Sequence, residues 1–429
     1  MLNDPRSHGL WEISAPAAPA TSALTQELTV EVAIIGAGYT GLSTALHLAE
    51  AGVDCAIVEA VEIGYGGAGR NVGLVNAGMW VMPELVVETM GPQYGPRLID
   101  FLGGGPAHVW EIINRYGIEC EATPTGTLHI ADGAAGLAEI TERARQWQAL
   151  GAPVELLDKA TAARHIGSGY YEGALLDRRA GTIQPLAYAR GLAHAAIAQG
   201  ARIFTAAPAT ALTRQGDGWR VTTPQGALLA RKVVFGTDAY TQGPMQRAIR
   251  DQQVILPYFN FATEPLPADI AATILPAREG AWDTNEVLLS FRFDRHNRLV
   301  FGSVGALRNT GMAVHSAWAH RALRRIFPQI GKVKFQSAWY GQIGMTQDNL
   351  PRFHKLDEGV YTFCGYNGRG IAPGTAFGRF MAAYLRGEKD DSDLPLPPVQ
   401  SQPVPMRDLR ALGYEMGAQL VHMKEARFG

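Results

Sequence analysis

The chain has 429 residues, 47% hydrophobic and 18% charged, with a net charge of −2 at pH 7. That length buries a large core and normally divides into two domains. The near-neutral balance offers nothing to attract nucleic acid or an anionic membrane, and no stretch approaches the roughly 18 apolar residues of a transmembrane segment. Cys55, Cys120 and Cys364 lie far apart without metal-ligand spacing. They predict buried free thiols, a reducing cytoplasmic compartment and no metal.

In chain order, the N-terminus carries Asp4, Glu12 and an Ala/Pro run from Ala15 to Ala20 without an apolar targeting stretch, which predicts a short extended arm. Val30 to Ile35 is an apolar, β-branched run that reads as a buried parallel strand. Gly36, Gly38 and Gly41 follow at G-x-G-x-x-G spacing, Thr40 to Ala51 reads as a helix, and Asp54 to Val58 as a second strand closed by Glu59. In that context the glycines let a pyrophosphate approach the backbone and the helix N-terminus, and the acid suits the ribose hydroxyls. Ile63 to Gly78, with Gly64, Gly66, Gly67, Gly69, Gly73 and Gly78, is too rich in glycine for a regular element and suggests backbone wrapped around a ligand.

Pro83 to Tyr116 reads as helical, Gly126 to Ile130 as a strand, and Ala134 to Leu150 as an amphipathic helix. A short helix at Asp158 to His165 and a long one at Leu186 to Gln199 follow. Ala201 to Thr205 is a strand, and Ala209 to Thr213, Trp219 to Thr223 and Gly226 to Ala230 form a meander. Arg231 to Phe235 is a further buried strand ending in Gly236-Thr237. Gln253 to Thr263, Val287 to Phe293 and Arg298 to Val304 alternate as strands, the last two joined by the turn Asp294 to Asn297. After a helix at Ser316 to Phe327 come strands at Lys334 to Tyr340 and Gly359 to Cys364, a second glycine loop at Gly365 to Gly370, and a helix from Thr375 to Leu385. A charged, proline-rich linker then precedes a last helix at Arg407 to Glu425, which docks on the body or on a second subunit, leaving a homodimer open.

The ordered motifs GAGYTGLSTALHLAEAG, VEA at 58–60, GGAGRNVG, GTIQP, VVFGTDAY, ATEPLP, RLVFGS, WYGQIGMTQDNLP and GYNGRGIAPG resemble the FAD-dependent amine and amino-acid oxidoreductases of the D-amino-acid oxidase type. The resemblance runs from about Glu31 to Leu385, and the GRNVG and GQIGMTQDNLP segments look closest to the γ-glutamylputrescine oxidoreductases and related sarcosine and pipecolate oxidases. It implies an α/β fold: a Rossmann-like FAD domain of discontinuous segments, plus an α+β substrate domain with a large antiparallel sheet. The expected division is an arm at 1–27, a FAD domain at 28–82, 151–243 and 334–388, a substrate domain at 83–150 and 244–333, and a linker with helical extension at 389–429.

The resemblance further implies that Gly36, Ala37, Gly38, Tyr39, Thr40 and Gly41 hold the pyrophosphate, with Glu59 and Ala60 at the adenosine ribose. Gly67, Ala68, Gly69, Arg70, Asn71, Val72, Gly73 and Leu74 contact the flavin side, and Ala209 the adenine. Gly236, Thr237, Tyr240 and Gly341 pack near the cofactor, and Gly365, Asn367, Gly368, Arg369, Gly370 and Ile371 border the flavin, with a helix N-terminus at Gly374 to Ala376. The segment Tyr340 to Met345 lacks the cysteine of covalently flavinylated relatives, so FAD is expected to bind non-covalently. The position of a lysine linked to oxygen activation in those relatives is Ala372 here, which leaves oxygen and a quinone or other electron carrier both open as acceptor.

The chemistry implied is oxidation of the C–N bond of a secondary amine or amino acid, pipecolate-, sarcosine- or γ-glutamylpolyamine-like, by hydride transfer to flavin. Candidate substrate-side residues are Tyr258, Arg292, Trp339, Tyr340 and Gln342, with Arg292 between Phe291 and Phe293 suited to a carboxylate. Each has a plain alternative: Tyr258 and Trp339 as core packing, Arg292 as a solvated strand residue. A non-catalytic FAD-binding subunit of a larger complex is the reading from a different class.

Overall fold

The computed structural model describes residues 8–242 and 245–425, so the boundary expected at 243 and 244 and the ends of the chain lie outside the described residues. The organising element is the strand Glu27–Ile35, whose second half is buried on both faces. It pairs in parallel with Cys55–Val58 on one side and Ala227–Phe235 on the other. The register aligns Ile35 with both Val58 and Phe235, so all three strands end at one level. Gly36, Glu59 and Gly236 therefore emerge side by side at the carboxyl edge of the sheet, where open α/β sheets bind ligands. Arg202–Phe204 extends the sheet beyond Cys55–Val58, and Val360–Cys364 beyond Ala227–Phe235.

Helix Tyr39–Glu50 leaves the first glycine turn and packs on Pro185–Ala198 and Ile371–Leu385. Gly41 permits the turn: a Cβ there would lie 2.0 Å from the Gly36 carbonyl oxygen. Ser43 Oγ donates to the Thr375 carbonyl at 2.7 Å, fastening the first and last of these helices together.

A second sheet of eight strands runs Phe335–Met345, Val254–Thr263, Leu299–Val304, Leu289–Phe293, Gly280–Asp283, Thr127–Ala131, Gly173–Asp177 and Val154–Leu157. Its pairs are antiparallel except that between Gly280–Asp283 and Thr127–Ala131. Period-2 alternation sends Phe259, Phe261, Phe291 and Phe301 into a core with Trp318 of helix Gly311–Ile326. Tyr258, Asn260, Ser290 and Arg292 take the opposite face.

Several expected boundaries move. Phe335–Met345, Val154–Leu157 and Gly173–Asp177, assigned from sequence to the nucleotide fold, are hydrogen-bonded into the second sheet. Helices Pro83–Gly103 and Gly105–Tyr116, assigned to the substrate unit, pack instead with the core of the first unit. The third meander strand and the strand after it are one element, Ala227–Phe235. The arm contains a helix, Leu10–Ser14, with Leu10 and Trp11 fully buried. Among the described residues no helix is long and apolar enough to cross a membrane.

The C-terminal helix Arg407–Lys424 docks on the body through Glu415, Ala418 and His422. Glu415 is doubly hydrogen-bonded by Arg308 Nε at 2.9 and 3.1 Å. Its outer face exposes Leu409, Leu412, Met416, Leu420 and Met423.

Candidate functional site

Where the central strand stops, a cavity of about 980 Å³ opens and runs from the first glycine turn to the second sheet. Glu59 shapes the first end. Its Oε2 accepts from Ala37 N at 2.8 Å and its Oε1 from Val61 N at 3.0 Å, tying the acid to the turn beside it. Burial raises the carboxyl pKa above its ordinary value against those backbone bonds. Tyr39 Oη donates to the Ala68 carbonyl at 2.6 Å and so joins the glycine helix to the second glycine loop. Asn71 Nδ2 closes that loop on Gly67 O at 2.9 Å.

Across the cavity lies the loop before the last nucleotide-side helix. Gly365 N donates to Asp238 Oδ1 at 2.7 Å, and burial pushes that carboxyl up to about 6. Asn367, at φ 51°, accepts from Thr346 N at 2.8 Å. The helix begins at Ile371, capped by Gly370, four residues earlier than the expected start at Thr375. Gly370 and Ile371, rather than Gly374 to Ala376, thus present its positive end to the cavity wall.

The far end is a chamber of aromatic and polar groups from well-separated segments of the chain. Trp80 meets Trp282 edge-on at 4.8 Å, and His129 stacks on Trp282 at 3.5 Å. The Arg369 guanidinium lies 4.7 Å from the Trp80 ring and 4.9 Å from the Trp282 ring. Tyr258 Oη and Ser290 Oγ are 2.7 Å apart. Asp283 is almost wholly buried; desolvation pushes its carboxyl up to about 7 although Asn285 Nδ2 and Leu289 N donate to it. Glu139, Asn285 and Glu286 also line the chamber.

Of the residues expected from sequence, Gly36, Gly38, Tyr39, Thr40, Glu59, Ala60, Gly67, Ala68, Arg70, Asn71, Val72 and Leu74 line the cavity. So do Ala209, Gly236, Thr237, Tyr240, Gly341, Asn367, Gly368, Arg369, Gly370 and Ile371, together with Tyr258 and Gln342. Ala37, Gly41, Gly69, Gly73 and Gly365 stand behind the lining as turn-formers. Ala209 lies just before its strand rather than in it. Trp80, His129, Asp238, Trp282, Asp283, Ser290 and Tyr366 were not singled out; their segments meet only in the fold.

Arg292, Trp339 and Tyr340 are corrections, for none of them lines the cavity. Arg292 and Trp339 occupy the expected face of the sheet but the wrong end of it, beneath the buried N-terminal helix. Trp11 packs on Trp339 at 5.4 Å and on the Arg292 guanidinium at 5.6 Å, and donates from Nε1 to Asn71 O at 2.9 Å. Arg292 spends its donors on Ile183 O and Phe293 O, and burial brings it down to about 10. Outside the cavity, His8, Glu12 and Glu62 converge within 4.8 Å. There His8 Nδ1 bonds Glu12 at 2.7 Å and Arg190 pairs with Glu12, fastening the same helix.

The glycine turn, the acid beside it and the long cavity fit a dinucleotide laid along the carboxyl edge of the sheet. The comparison with protein families agrees: residues 31–384 match the family described as FAD dependent oxidoreductase (DAO). The chain belongs to the DAO family. It is 31% identical over 418 residues to the γ-glutamylputrescine oxidoreductase of Escherichia coli, covering 92% of this chain and 95% of that protein. Glycine oxidase from Geobacillus kaustophilus shares the fold at TM-score 0.69 and 19% identity, over 84% of this chain and 96% of that one. L-amino acid deaminase from Proteus vulgaris, in a form lacking its specific insertion, does so at TM-score 0.71 and 16% identity, over 90% and 96%. This DAO-family chain is thus an FAD-dependent oxidoreductase with amine- and amino-acid-oxidising relatives.

Proposed function

We propose that the protein oxidises the C–N bond of a secondary amine or amino acid whose far end carries a further amine, in the manner of γ-glutamylated polyamines. The carrying observation is one continuous cavity that begins at Gly36 and Glu59 and ends in a chamber where Glu139, Asp283 and Glu286 supply acid groups. Gly36, Gly38 and Glu59 would hold the adenosine diphosphate part of FAD, and Arg70, Asn71 and Asn367 to Ile371 its ring end. When bound, FAD supplies a two-electron acceptor for hydride from the carbon beside the amine nitrogen, and water hydrolyses the resulting imine. Trp80 and Trp282 wall the chamber against bulk water. The Tyr258–Ser290 pair offers a hydroxyl to the substrate nitrogen, and Asp283 holds or releases a proton near neutrality. Among the described residues neither a cysteine nor a lysine lines the cavity, which supports non-covalent FAD and an acceptor other than oxygen as the second reading.

Anaerobic mixing with γ-glutamyl-diamines, sarcosine, pipecolate and simple amines, followed by flavin absorbance, tests the reading. Bleaching by the diamine conjugates ahead of the simple amino acids is expected. Bound flavin that none of them bleaches would sink it and favour a FAD-binding subunit. Readmitting air then separates oxidase, with peroxide formed, from dehydrogenase.

A further inference from the structure

Behind Trp282, away from the nucleotide end, lies a second chamber of about 30 Å³ walled in part by His129, Arg143, Asp177, Trp282 and Arg369. Roughly 10–15 Å³ suffices for one water, so the space is real. Four of its wall residues carry a buried nitrogen without a hydrogen-bond partner: Arg143 Nε, Arg369 Nε, Trp282 Nε1 and His129 Nδ1. The first three are N–H groups that only donate, and His129 donates in one tautomer. A buried donor left unsatisfied costs about 1–3 kcal/mol, more when charged.

The charges lead the same way. Arg143 pairs with Glu139 at 3.1 Å, and Asp177 is taken by Arg179 at 2.7 Å. Arg369 donates to the Ala77 carbonyl at 2.9 Å and lies over the Trp80 and Trp282 rings, but has no carboxylate partner among the described residues. One positive charge is left over on a chamber wall whose residues carry four unpartnered nitrogens. A water accepts two hydrogen bonds and neutralises nothing; a small anion accepts them all. We propose that Arg143, Arg369, Trp282 and His129 form a site for a monovalent inorganic anion of halide size, buried behind the chamber wall.

Arg369 belongs to the walls of both spaces, so the anion would balance the charge of a residue that faces the large cavity and would stiffen the Asn367 to Gly370 loop. Burial and the like charge of Arg143 bring Arg369 down to about 9, a strain that a counter-ion relieves. The site does not depend on the identity of the substrate.

The test uses the full-length, FAD-loaded protein crystallised with bromide in place of chloride. An anomalous peak between Arg143 and Arg369, at millimolar bromide, is the expected result. Water density alone, or bromide confined to the large cavity, overturns the proposal. In solution, thermal midpoints are compared in chloride and in gluconate, which is too large for the chamber, at matched ionic strength. A saturable rise of about 2–4 °C with chloride is expected in the native protein and is lost in Arg143→Gln. A rise of equal size in that variant assigns the salt effect elsewhere and overturns the proposal.

Discussion

Arg292 shows what a residue's neighbours in sequence do and do not disclose. Its strand alternation gave the right face, because a pleated strand has only two. Its place along that face depends on Trp11, nearly three hundred positions away in sequence, and nothing in either segment announces the meeting. The glycines and Glu59 were legible because their constraint is local: a turn, a close approach and an acid at a strand end. Trp282 and Trp80 were not, since a lone tryptophan carries no period. The structural placement makes a clear prediction. Arg292→Met should lower stability by about 3 kcal/mol, read as a lower denaturant midpoint, because it strips donors from Ile183 O and Phe293 O and a cation from Trp11. The KM of the FAD-loaded variant for its amine substrate should stay within about twofold. A tenfold rise in KM with unchanged stability would return Arg292 to the substrate.

At the level of elements, the sequence located the long helices and most of the longer strands, passed over Val154–Leu157, Gly280–Asp283 and Arg352–Asp357, and misplaced ends where proline hides a start. Helix Ile371–Leu385 begins two residues before Pro373. The first turn needs no internal N–H partner, so proline and glycine are tolerated there even though they read as breakers. That shift decides which backbone groups border the cavity. The opening strand–turn–helix is more rigidly specified. With the Gly36 oxygen 2.0 Å from any Cβ at position 41, Gly41→Ala must push the helix off the strand. The expected outcome is a folded protein, by far-UV circular dichroism, that has lost at least tenfold in FAD affinity by fluorescence titration. Unchanged affinity would mean that the turn does not set the cofactor site.

Across the whole molecule, the sequence told the two kinds of sheet apart but not which strands belonged to which. Phe335–Met345 and Val360–Cys364 read alike as apolar runs, yet one joins the antiparallel sheet and the other the parallel one. Strand partners are non-local, and period alone does not name them. The C-terminal helix is tied down in the same non-local way. His422 Nδ1 lies 2.7 Å from His315 Nδ1, and His422 stacks on Trp318 at 3.9 Å. Burial brings His315 down to about 4, and burial with the neighbouring His315 and Arg321 brings His422 down to about 3. Both are neutral in the fold, whereas the unfolded chain protonates them near 6.5. Between those values the unfolded state binds more protons, so stability is full above about pH 6.5 and falls as pH drops toward 4. On the order of 1–3 kcal/mol should disappear between pH 7 and pH 5, with both rings partly relaxing toward solvent. Hydrogen exchange should show Arg407–Lys424 opening first, because one edge of this helix already faces solvent through Leu409, Leu412, Met416, Leu420 and Met423. His422→Phe should flatten the pH dependence, since a ring that cannot charge fills the same space. A pH profile as steep in that variant as in the native chain would place the acid sensitivity elsewhere.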